Sequence, residues 1–351
     1  MKNFALSQIQ QMKPYLPPLE GRINYEGMLL DFNERTIPPS PKVFEAIQEF
    51  LKTGKLNLYP EYFDFCEQVA EYAEVDPSEV MVTNGSDHGI ELIFRTFTEK
   101  GDEVIVPSPS FAMFYQISGV TGNKIIMPQY LKKDLSYPLE EVLASITPNT
   151  KLIIVCNPNN PTGTLVPLPD IEKILQKAKN SIILVDEAYY EFSQVTAVSF
   201  LKKYPNLIVT RTFSKAFGLV ALRIGYVISN AQNIQEMMKV RGPYDVNSLA
   251  YYAVKAALQD IQNLNSYVDE VMNESKPFVE NFFQKNEIRF YKSGSNFILF
   301  ESPTSDFAQK LEENGIRIRP QTQKGIEGFL RVSIGTMKEI ERFCDVFSQL
   351  L

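Results

Sequence analysis

The sequence of 351 residues is poor in the side chains that build metal and redox centres. It has one histidine and three cysteines, Cys66, Cys156 and Cys344, which are scattered along the chain and leave an odd thiol. Their spacing does not match a set of metal ligands. We therefore expect reduced thiols, a cytoplasmic protein and no metal site.

The chain also lacks the patterns that direct a protein to a membrane or to nucleic acid. No uninterrupted apolar stretch approaches the ~20 residues that span a bilayer, and residues 1–18 contain no apolar core of a signal peptide. Acidic residues outnumber basic ones by 42 to 35, for a net charge of −7. Because such a surface does not attract nucleic acid or anionic lipid, we expect neither as a partner.

What the chain does contain is an alternation of short apolar strands and amphipathic helical stretches. Several strands are apolar throughout, as strands covered by helices on both faces should be. The pattern predicts an α/β fold with a mainly parallel sheet of seven strands and ligands beyond the strands' carboxyl ends. The seven segments are 79–83, 103–107, 124–128, 151–156, 181–186, 206–210 and 224–228.

Changes of pattern divide the chain into three predicted parts. Residues 1–36 are irregular and rich in proline, which suits an N-terminal arm that packs with the smaller domain. Residues 37–245 hold the seven strands and form the large domain. Residues 246–351 carry strands at NFILF, IRIRP and FLRVSI between helices, which predicts a small second α/β domain.

The first of four segments that suggest chemistry is TNGSDHGIELIFRTF. Its apolar spacing starts a helix near Ser86, so Gly85 and Ser86 present free backbone N–H groups at the positive end of that helix. A phosphate fits there, although an ordinary Ser or Asp helix cap gives the same pattern.

The second and third segments each follow a strand. In CNPNNPTGT, the prolines and the glycine restrict an exposed loop, so that Asn157, Asn159 and Asn160 are held in fixed directions; a plain turn is the alternative. In ILVDEAYYEF, Asp186 closes an apolar strand, where an unpaired carboxylate is costly to bury. Its cationic partner is either a protonated pyridine nitrogen or an Arg or Lys side chain. Tyr189, three residues on, can reach the same ligand.

The fourth segment, RTFSKAFGLVALRIGY, places Lys215 after a strand and among apolar residues. Apolar surroundings disfavour the charged form of a lysine and leave the free amine available for Schiff-base chemistry. Thr212 and Ser214 offer hydroxyl groups, and Arg223 offers a counter-charge for phosphate. A lone lysine is more often a solvated surface residue, but the four segments together favour a cofactor site.

In order and spacing, NPNNPTG, DEAYYEF and RTFSKAFGLVALRIGY resemble the fold-type-I pyridoxal-phosphate-dependent aminotransferases, over nearly the whole chain. NGSDHGIELI, PSPSFAMFY, RGPYDVNSLA, SGSNFILF and FLRVSIGT are most similar to the histidinol-phosphate subfamily. The resemblance implies pyridoxal 5′-phosphate as cofactor and amino transfer from L-histidinol phosphate to 2-oxoglutarate, in histidine biosynthesis. A decarboxylase of a phosphorylated amino acid and an aromatic or broad-specificity aminotransferase are alternatives. A non-enzymatic regulator is disfavoured because there is no appended helix-turn-helix.

The resemblance further implies a role for each matching residue. Lys215 would bind the cofactor as a Schiff base and move the reacting proton, assisted by Asp186 at the pyridine nitrogen and Tyr189 at the ring oxygen. Tyr59 would reach the cofactor phosphate of a neighbouring subunit, which implies a homodimer with shared sites. The remaining implied cofactor contacts are Gly85, Ser86, Asp87, Phe111, Asn160, Thr212, Ser214 and Arg223. The implied substrate contacts are Tyr15, Asn33, Arg319 and Arg331.

Two positions depart from the subfamily's pattern. Arg35 follows Asn33 and Glu34 where the subfamily commonly has asparagine, which predicts an extra cation at the rim of the substrate pocket. His88 stands where an acidic residue is common, and its first-turn helix position beside Asp87 favours a structural role over catalysis.

Overall fold

The computed structural model describes residues 3–61 and 64–351. Each of the seven segments predicted as strands forms a strand of one seven-stranded sheet, so the predicted mainly parallel sheet is confirmed. The strands are β1 (Met28–Leu29), β2 (Val80–Thr83), β3 (Glu103–Ile105), β4 (Lys124–Ile126), β5 (Thr150–Cys156), β6 (Ile182–Asp186), β7 (Leu207–Thr212), β8 (Gly225–Ser229), β9 (Phe290–Tyr291), β10 (Phe297–Glu301), β11 (Ile316–Arg317), β12 (Arg319–Pro320) and β13 (Phe329–Ser333).

The helices cover the sheets and connect their strands. The α-helices are α1 (Ser7–Gln11), α2 (Pro41–Lys52), α3 (Phe65–Ala73), α4 (Gly85–Phe97), α5 (Ala112–Thr121), α6 (Leu139–Ala144), α7 (Leu168–Lys177), α8 (Tyr190–Ser193), α9 (Ala231–Val240), α10 (Ser248–Leu258), α11 (Ile261–Asp269), α12 (Lys276–Lys285), α13 (Phe307–Glu313) and α14 (Met337–Leu350). A π-helical turn, Glu270–Ser275, joins α11 to α12. Short 3₁₀ turns lie at Arg22–Asn24, Lys55–Asn57, Pro77–Glu79, Val198–Phe200 and Val220–Leu222. None of the helices within the described residues has the length and apolar character needed to cross a bilayer.

The large sheet has the strand order β2-β8-β7-β6-β5-β3-β4. Strands β7, β6, β5, β3 and β4 run parallel, and β8 is antiparallel to both of its neighbours. Ile153 and Val155 of β5 enter the apolar core on one face, while Leu152 and Ile154 enter the core on the other. Because both faces are covered, the strands are apolar to their ends, and the first polar groups appear at the carboxyl edge.

A second, antiparallel sheet has the order β12-β13-β10-β9. The N-terminal strand β1 pairs in parallel with β11, so the arm is attached beside this smaller sheet. IRIRP does not form the single strand predicted for it, because the chain passes from β11, paired with β1, to β12, paired with β13. Helix α2 packs against α10, across the boundary predicted at residue 245. We therefore propose residues 1–36, 37–245 and 246–351 as three units of the chain that contact one another across their boundaries.

Candidate functional site

Asp186 is the polar group at the centre of the carboxyl edge of the large sheet. The register of the parallel strands places it between Cys156 of β5 and Thr210 of β7. Thr210 Oγ1 donates to Asp186 Oδ1 at 2.8 Å, and the Cys156 thiol lies 3.8 Å from Oδ2. Burial raises the pKa of this carboxyl to about 7. No Arg or Lys of residues 3–61 or 64–351 forms an ion pair with it, so the chain leaves room for a cation from a ligand.

Lys215 follows β7 and its amine lies between two cavities. Its Nζ donates to the Phe32 carbonyl at 2.9 Å and lies 5.8 Å from the centre of the Tyr189 ring. Burial is the main cause that lowers the pKa of this amine to about 8, and the nearby Arg331 guanidinium contributes to the same shift. The free amine is therefore far more populated near neutral pH than that of an ordinary lysine, as the apolar surroundings in the sequence predict.

An anion cradle forms where α4 begins. Gly85 has φ +78°, a left-handed conformation that favours glycine, and it turns the chain into the helix. A Cβ atom on Gly225 would lie 2.6 Å from the backbone nitrogen of Ser86, so only glycine lets β8 approach this turn. Arg223 Nη2 lies 3.1 Å from Asp87 Oδ2, and both side chains are partly exposed. The helix N-terminus and the guanidinium together provide donors for a phosphate group.

Tyr189 and Asn160 lie above Asp186, and both are engaged by other polar side chains. Asn33 Nδ2 donates to the Tyr189 hydroxyl at 2.9 Å, and Arg331 Nη1 donates to Asn160 Oδ1. Burial raises the pKa of the Tyr189 phenol. The Tyr189 hydroxyl is consequently a hydrogen-bond donor to a ligand oxygen, since Asn33 already donates to it.

Two arginines from adjacent strands form the cationic wall of the site. The register pairs Arg319 of β12 with Arg331 of β13, which places them side by side. Arg331 Nη2 donates to the Asp31 carbonyl at 2.7 Å. Arg331 Nε and Arg319 Nη1 are buried and have no hydrogen-bond partner in the described part of the chain. Burial lowers the pKa of Arg331 to about 10. Buried donors without partners favour an anionic ligand.

These groups surround an inner cavity of about 110 Å³ and an outer one of about 420 Å³. Lys215, Phe111 and Asn160 line both cavities, so the lysine faces whatever occupies either. The other predicted residues of the inner cavity are Ser86, Asp87, Asp186, Tyr189, Thr212, Ser214 and Arg223. The other predicted residues of the outer cavity are Tyr15, Arg319 and Arg331.

Three predicted site residues line neither cavity. Gly85 lies in the turn beneath Ser86, and Asn33 stands behind the Tyr189 hydroxyl. Tyr59 lies on the surface with 75% of its area exposed, and its ring stacks on Tyr244 with the centres 4.2 Å apart. Within a single chain Tyr59 is therefore not part of the pocket.

The expectation that Arg35 stands at the pocket rim is wrong. Arg35 is buried away from both cavities: it donates to the Ala216 carbonyl at 3.1 Å and to Asn263 Oδ1 at 2.8 Å, and it lies over the Tyr267 ring. His88 Nδ1 lies 3.2 Å from an Asp245 carboxylate oxygen, and His88 lines neither cavity. That position agrees with the structural role expected for it.

Sequence reasoning missed several residues of the site. Thr210 holds Asp186, the Phe32 carbonyl holds the Lys215 amine, and residues 321–324 line the outer cavity opposite Phe111. The polar sequence QTQK between two strands signals a loop but not the cavity that the loop faces. Backbone carbonyls have no sequence signal at all.

Comparison with known proteins adds an independent observation. The family model for aminotransferase class I and II matches residues 25–347 of this chain. The chain belongs to this family. The family assignment makes it an aminotransferase, and it confirms the fold and enzyme class that the sequence predicted.

Similar members of the family share most of their length with this aminotransferase. The histidinol-phosphate aminotransferase of Thermoanaerobacter sp. (strain X514) is 36% identical over 345 residues, covering 95% of this chain and 97% of that protein. That of Methanocaldococcus jannaschii is 31% identical over 370 residues, covering 100% and 98%. The crystal structure of histidinol-phosphate aminotransferase from Sinorhizobium meliloti in complex with pyridoxal-5′-phosphate superposes with a TM-score of 0.88 at 23% identity, covering 100% and 99%. The last comparison supports the fold.

Proposed function

We propose that this aminotransferase uses pyridoxal 5′-phosphate to transfer the amino group of L-histidinol phosphate to 2-oxoglutarate. One observation carries the choice of substrate: Arg319 and Arg331 stand side by side with unpartnered donors and no carboxylate partner among the described residues. Two adjacent guanidinium groups suit a doubly charged anion such as a phosphate monoester. Relatives of 31–36% identity carry the name of the same activity.

The residues present fit the proposed cofactor. Asp186 is a buried carboxylate without a cation, so a protonated pyridine nitrogen would supply its missing partner. The cradle of Ser86, Thr212, Ser214 and Arg223 would hold the cofactor phosphate, with Phe111 against the ring and Asn160 and Tyr189 at the ring oxygen. When bound, the cofactor would supply an electron sink for the negative charge that develops at the substrate's α carbon.

Lys215 is the group that moves the proton. With a pKa near 8 it is neutral often enough to accept the proton from the α carbon, and it would then pass that proton on to the cofactor rather than back to the α carbon. Its position on both cavities lets one amine serve the cofactor and the substrate. The Phe32 carbonyl, 2.9 Å from Nζ, holds the charged amine after it has taken up the proton.

The outer cavity would take the substrate. Arg319 and Arg331 would bind its anionic group, whereas Phe32, Tyr115 and Met127 provide an apolar and aromatic wall for an imidazole ring. Tyr15 from the arm lines the same cavity and would cover that ring. No aspartate or glutamate lines this cavity, so an anionic donor meets no carboxylate there within the described chain.

The protein is further proposed to work as a homodimer. Tyr59 and Tyr244 form an exposed aromatic pair outside the pocket of their own chain, beside the exposed Leu56 and Leu58. Exposed aromatic side chains next to aliphatic ones are typical of an interface. Sedimentation equilibrium with the parent and Tyr59→Ser tests the dimer; a monomeric parent at full activity would contradict it.

A panel of amino donors assayed with 2-oxoglutarate tests the proposed reaction. We expect kcat/KM for histidinol phosphate to exceed that for phenylalanine by at least ~100-fold, because the singly charged carboxylate of phenylalanine satisfies the two arginines only in part. Arg319→Gln should raise KM for histidinol phosphate, while Arg289→Gln, outside both cavities, should leave it unchanged. A preference for phenylalanine, or release of carbon dioxide from threonine phosphate or serine phosphate without 2-oxoglutarate, would refute the substrate.

A further inference from the structure

Residues 31–34, which we call the bridging segment, connect the N-terminal arm to the reactive groups. Its backbone carbonyls face the site: that of Asp31 accepts from Arg331 Nη2 at 2.7 Å, and that of Phe32 accepts from Lys215 Nζ at 2.9 Å. Two neighbouring backbone carbonyls therefore hold the Arg331 guanidinium, proposed to bind substrate, and the Lys215 amine, proposed to carry the proton, in position.

The next residue of the bridging segment contacts a third group. Asn33 Nδ2 donates to the Tyr189 hydroxyl at 2.9 Å, and its own backbone N–H donates to Ser333 Oγ at 2.8 Å. Asn33 has φ +56°, a left-handed conformation that asparagine tolerates better than most residues. A turn of this kind keeps its shape only when neighbouring groups restrain it.

Arg22, in the 3₁₀ turn of the arm, supplies that restraint from outside. Its guanidinium lies 2.9 Å from Asp31 Oδ1, contacts Glu34 through both terminal nitrogens, and lies 4.4 Å from the centre of the Phe32 ring. The Arg22 side chain is 12% exposed and that of Asp31 is 3% exposed. Arg22 therefore contacts both ends and the middle of the bridging segment. It lines neither cavity.

We propose that Arg22 is a positioning residue, which through the bridging segment holds the Lys215 amine and the Arg331 guanidinium in place. The inference rests on the proposed function in taking Lys215 as the reactive lysine and Arg331 as a substrate-binding group. Without the ion pairs, the strained turn at Asn33 loses its side-chain contacts with the arm, and we expect the two carbonyls to move away from the site. The Lys215 amine then loses part of its cover and is more exposed to water than in the parent.

Reductive methylation of the full chain with formaldehyde and cyanoborohydride, across a range of pH, measures the state of Lys215 directly. Only the neutral amine reacts, and mass spectrometry assigns the label to a residue. In Arg22→Gln we expect the midpoint for Lys215 to rise from near 8 toward the ordinary lysine value of 10.5, because hydration reverses the main cause of its lowered pKa. Lys276, which donates to the Ser293 carbonyl and has no hydrogen bond to Arg22 or to the bridging segment, should not change.

The same variant loaded with pyridoxal phosphate should lose about tenfold in kcat, because reacting groups that are misplaced by a fraction of an ångström react slowly. Arg22→Gln leaves the Asp31 carboxylate buried without its cation and can destabilise the fold. The double variant Arg22→Gln/Asp31→Asn removes that charge, keeps the Asp31 carbonyl, and should show the same shift at Lys215. Arg22→Lys, which reaches one carboxylate at a time, should restore part of the parent behaviour.

Arg317→Gln is the matched control. Arg317 also anchors the arm, through the Glu20 carbonyl, the Tyr25 ring and Glu312, but it does not contact the bridging segment. An equal shift in this variant, or an unchanged Lys215 midpoint in both Arg22→Gln and Arg22→Gln/Asp31→Asn, would overturn the proposal. So would a rise in KM for histidinol phosphate alone with unchanged labelling, since Arg22 would then bind substrate. The expected labelling shift in the Arg22 variants, together with a parent that transfers no amino group, would refute the proposed function instead.

Discussion

Replacing Asp186 with asparagine should make the cofactor-free protein more stable at pH 8 while it impairs the enzyme. The carboxyl is 3% exposed, and burial raises its pKa from 3.8 to about 7. At 1.36 kcal/mol for each unit of pKa, the cost of charging this buried group reaches ~4 kcal/mol as an upper bound. Asparagine keeps an oxygen that can accept from Thr210 and removes the charge.

The direction in which stability changes with pH follows from proton linkage. The folded protein holds the Asp186 proton up to a higher pH than the unfolded chain does, so this group's contribution is fully present below pH 4. It is lost as the pH rises from about 4 to 7. Urea unfolding of the cofactor-free parent and of Asp186→Asn at several pH values measures the effect. The stability difference between Asp186→Asn and the parent should therefore grow as the pH rises from about 4 to 7 and remain at higher pH.

Pyridoxal phosphate should reverse the order of stability of the parent and Asp186→Asn. If Asp186 pairs with the pyridine nitrogen as proposed, a pyridinium there would supply the missing cation, so the cofactor should stabilise the parent more than it stabilises Asp186→Asn. The reasoning is refuted if the variant is less stable than the parent at pH 8 without cofactor, or if the difference does not depend on pH.

Two further substitutions test the site, and a third tests a buried acid that lines neither cavity. Gly225→Ala places a Cβ 2.6 Å from the Ser86 nitrogen, so we expect a loss of ~1–3 kcal/mol in stability. We also expect at least tenfold weaker cofactor binding, measured by fluorescence titration. Unchanged affinity would contradict the close approach of β8 to this turn. Glu191→Gln should raise Tm at pH 8 more than at pH 5, because burial raises the Glu191 pKa to about 7 and Oε2 has no partner in the described chain; an equal change at both pH values would argue against it. Thr210→Val should cost ~1 kcal/mol in cofactor affinity by removing the donor to Asp186, and wild-type affinity would show that this hydrogen bond is dispensable.

The sequence was sufficient for the architecture of the large sheet, because its strands are covered on both faces. Residues such as Leu152, Ile153, Ile154 and Val155 are all buried, so each strand appears as an unbroken apolar run that ends at a polar edge. IRIRP was harder, since two-residue strands in different sheets produce the same apolar alternation as one strand of five.

The prediction of the site was limited by tertiary contacts. The sequence pointed to Asp186 because an acid at the end of an apolar run is costly, and this holds whatever its neighbours are. It could not point to Thr210, whose place beside Asp186 depends on strand register, or to the Phe32 carbonyl. Arg35 was misplaced because nothing in the sequence shows that Ala216 and Asn263 draw its guanidinium away from the pocket.

One measurement tests the central claim most directly: reduction of the protein loaded with pyridoxal phosphate by borohydride, followed by peptide mapping. Reduction makes the bond between cofactor and amine permanent, so the labelled peptide identifies the lysine that binds it. The account predicts one label per chain, on Lys215, and no label in Lys215→Ala. A label on Lys276, the other buried lysine with a pKa lowered to about 8, or no label on any lysine, would contradict it.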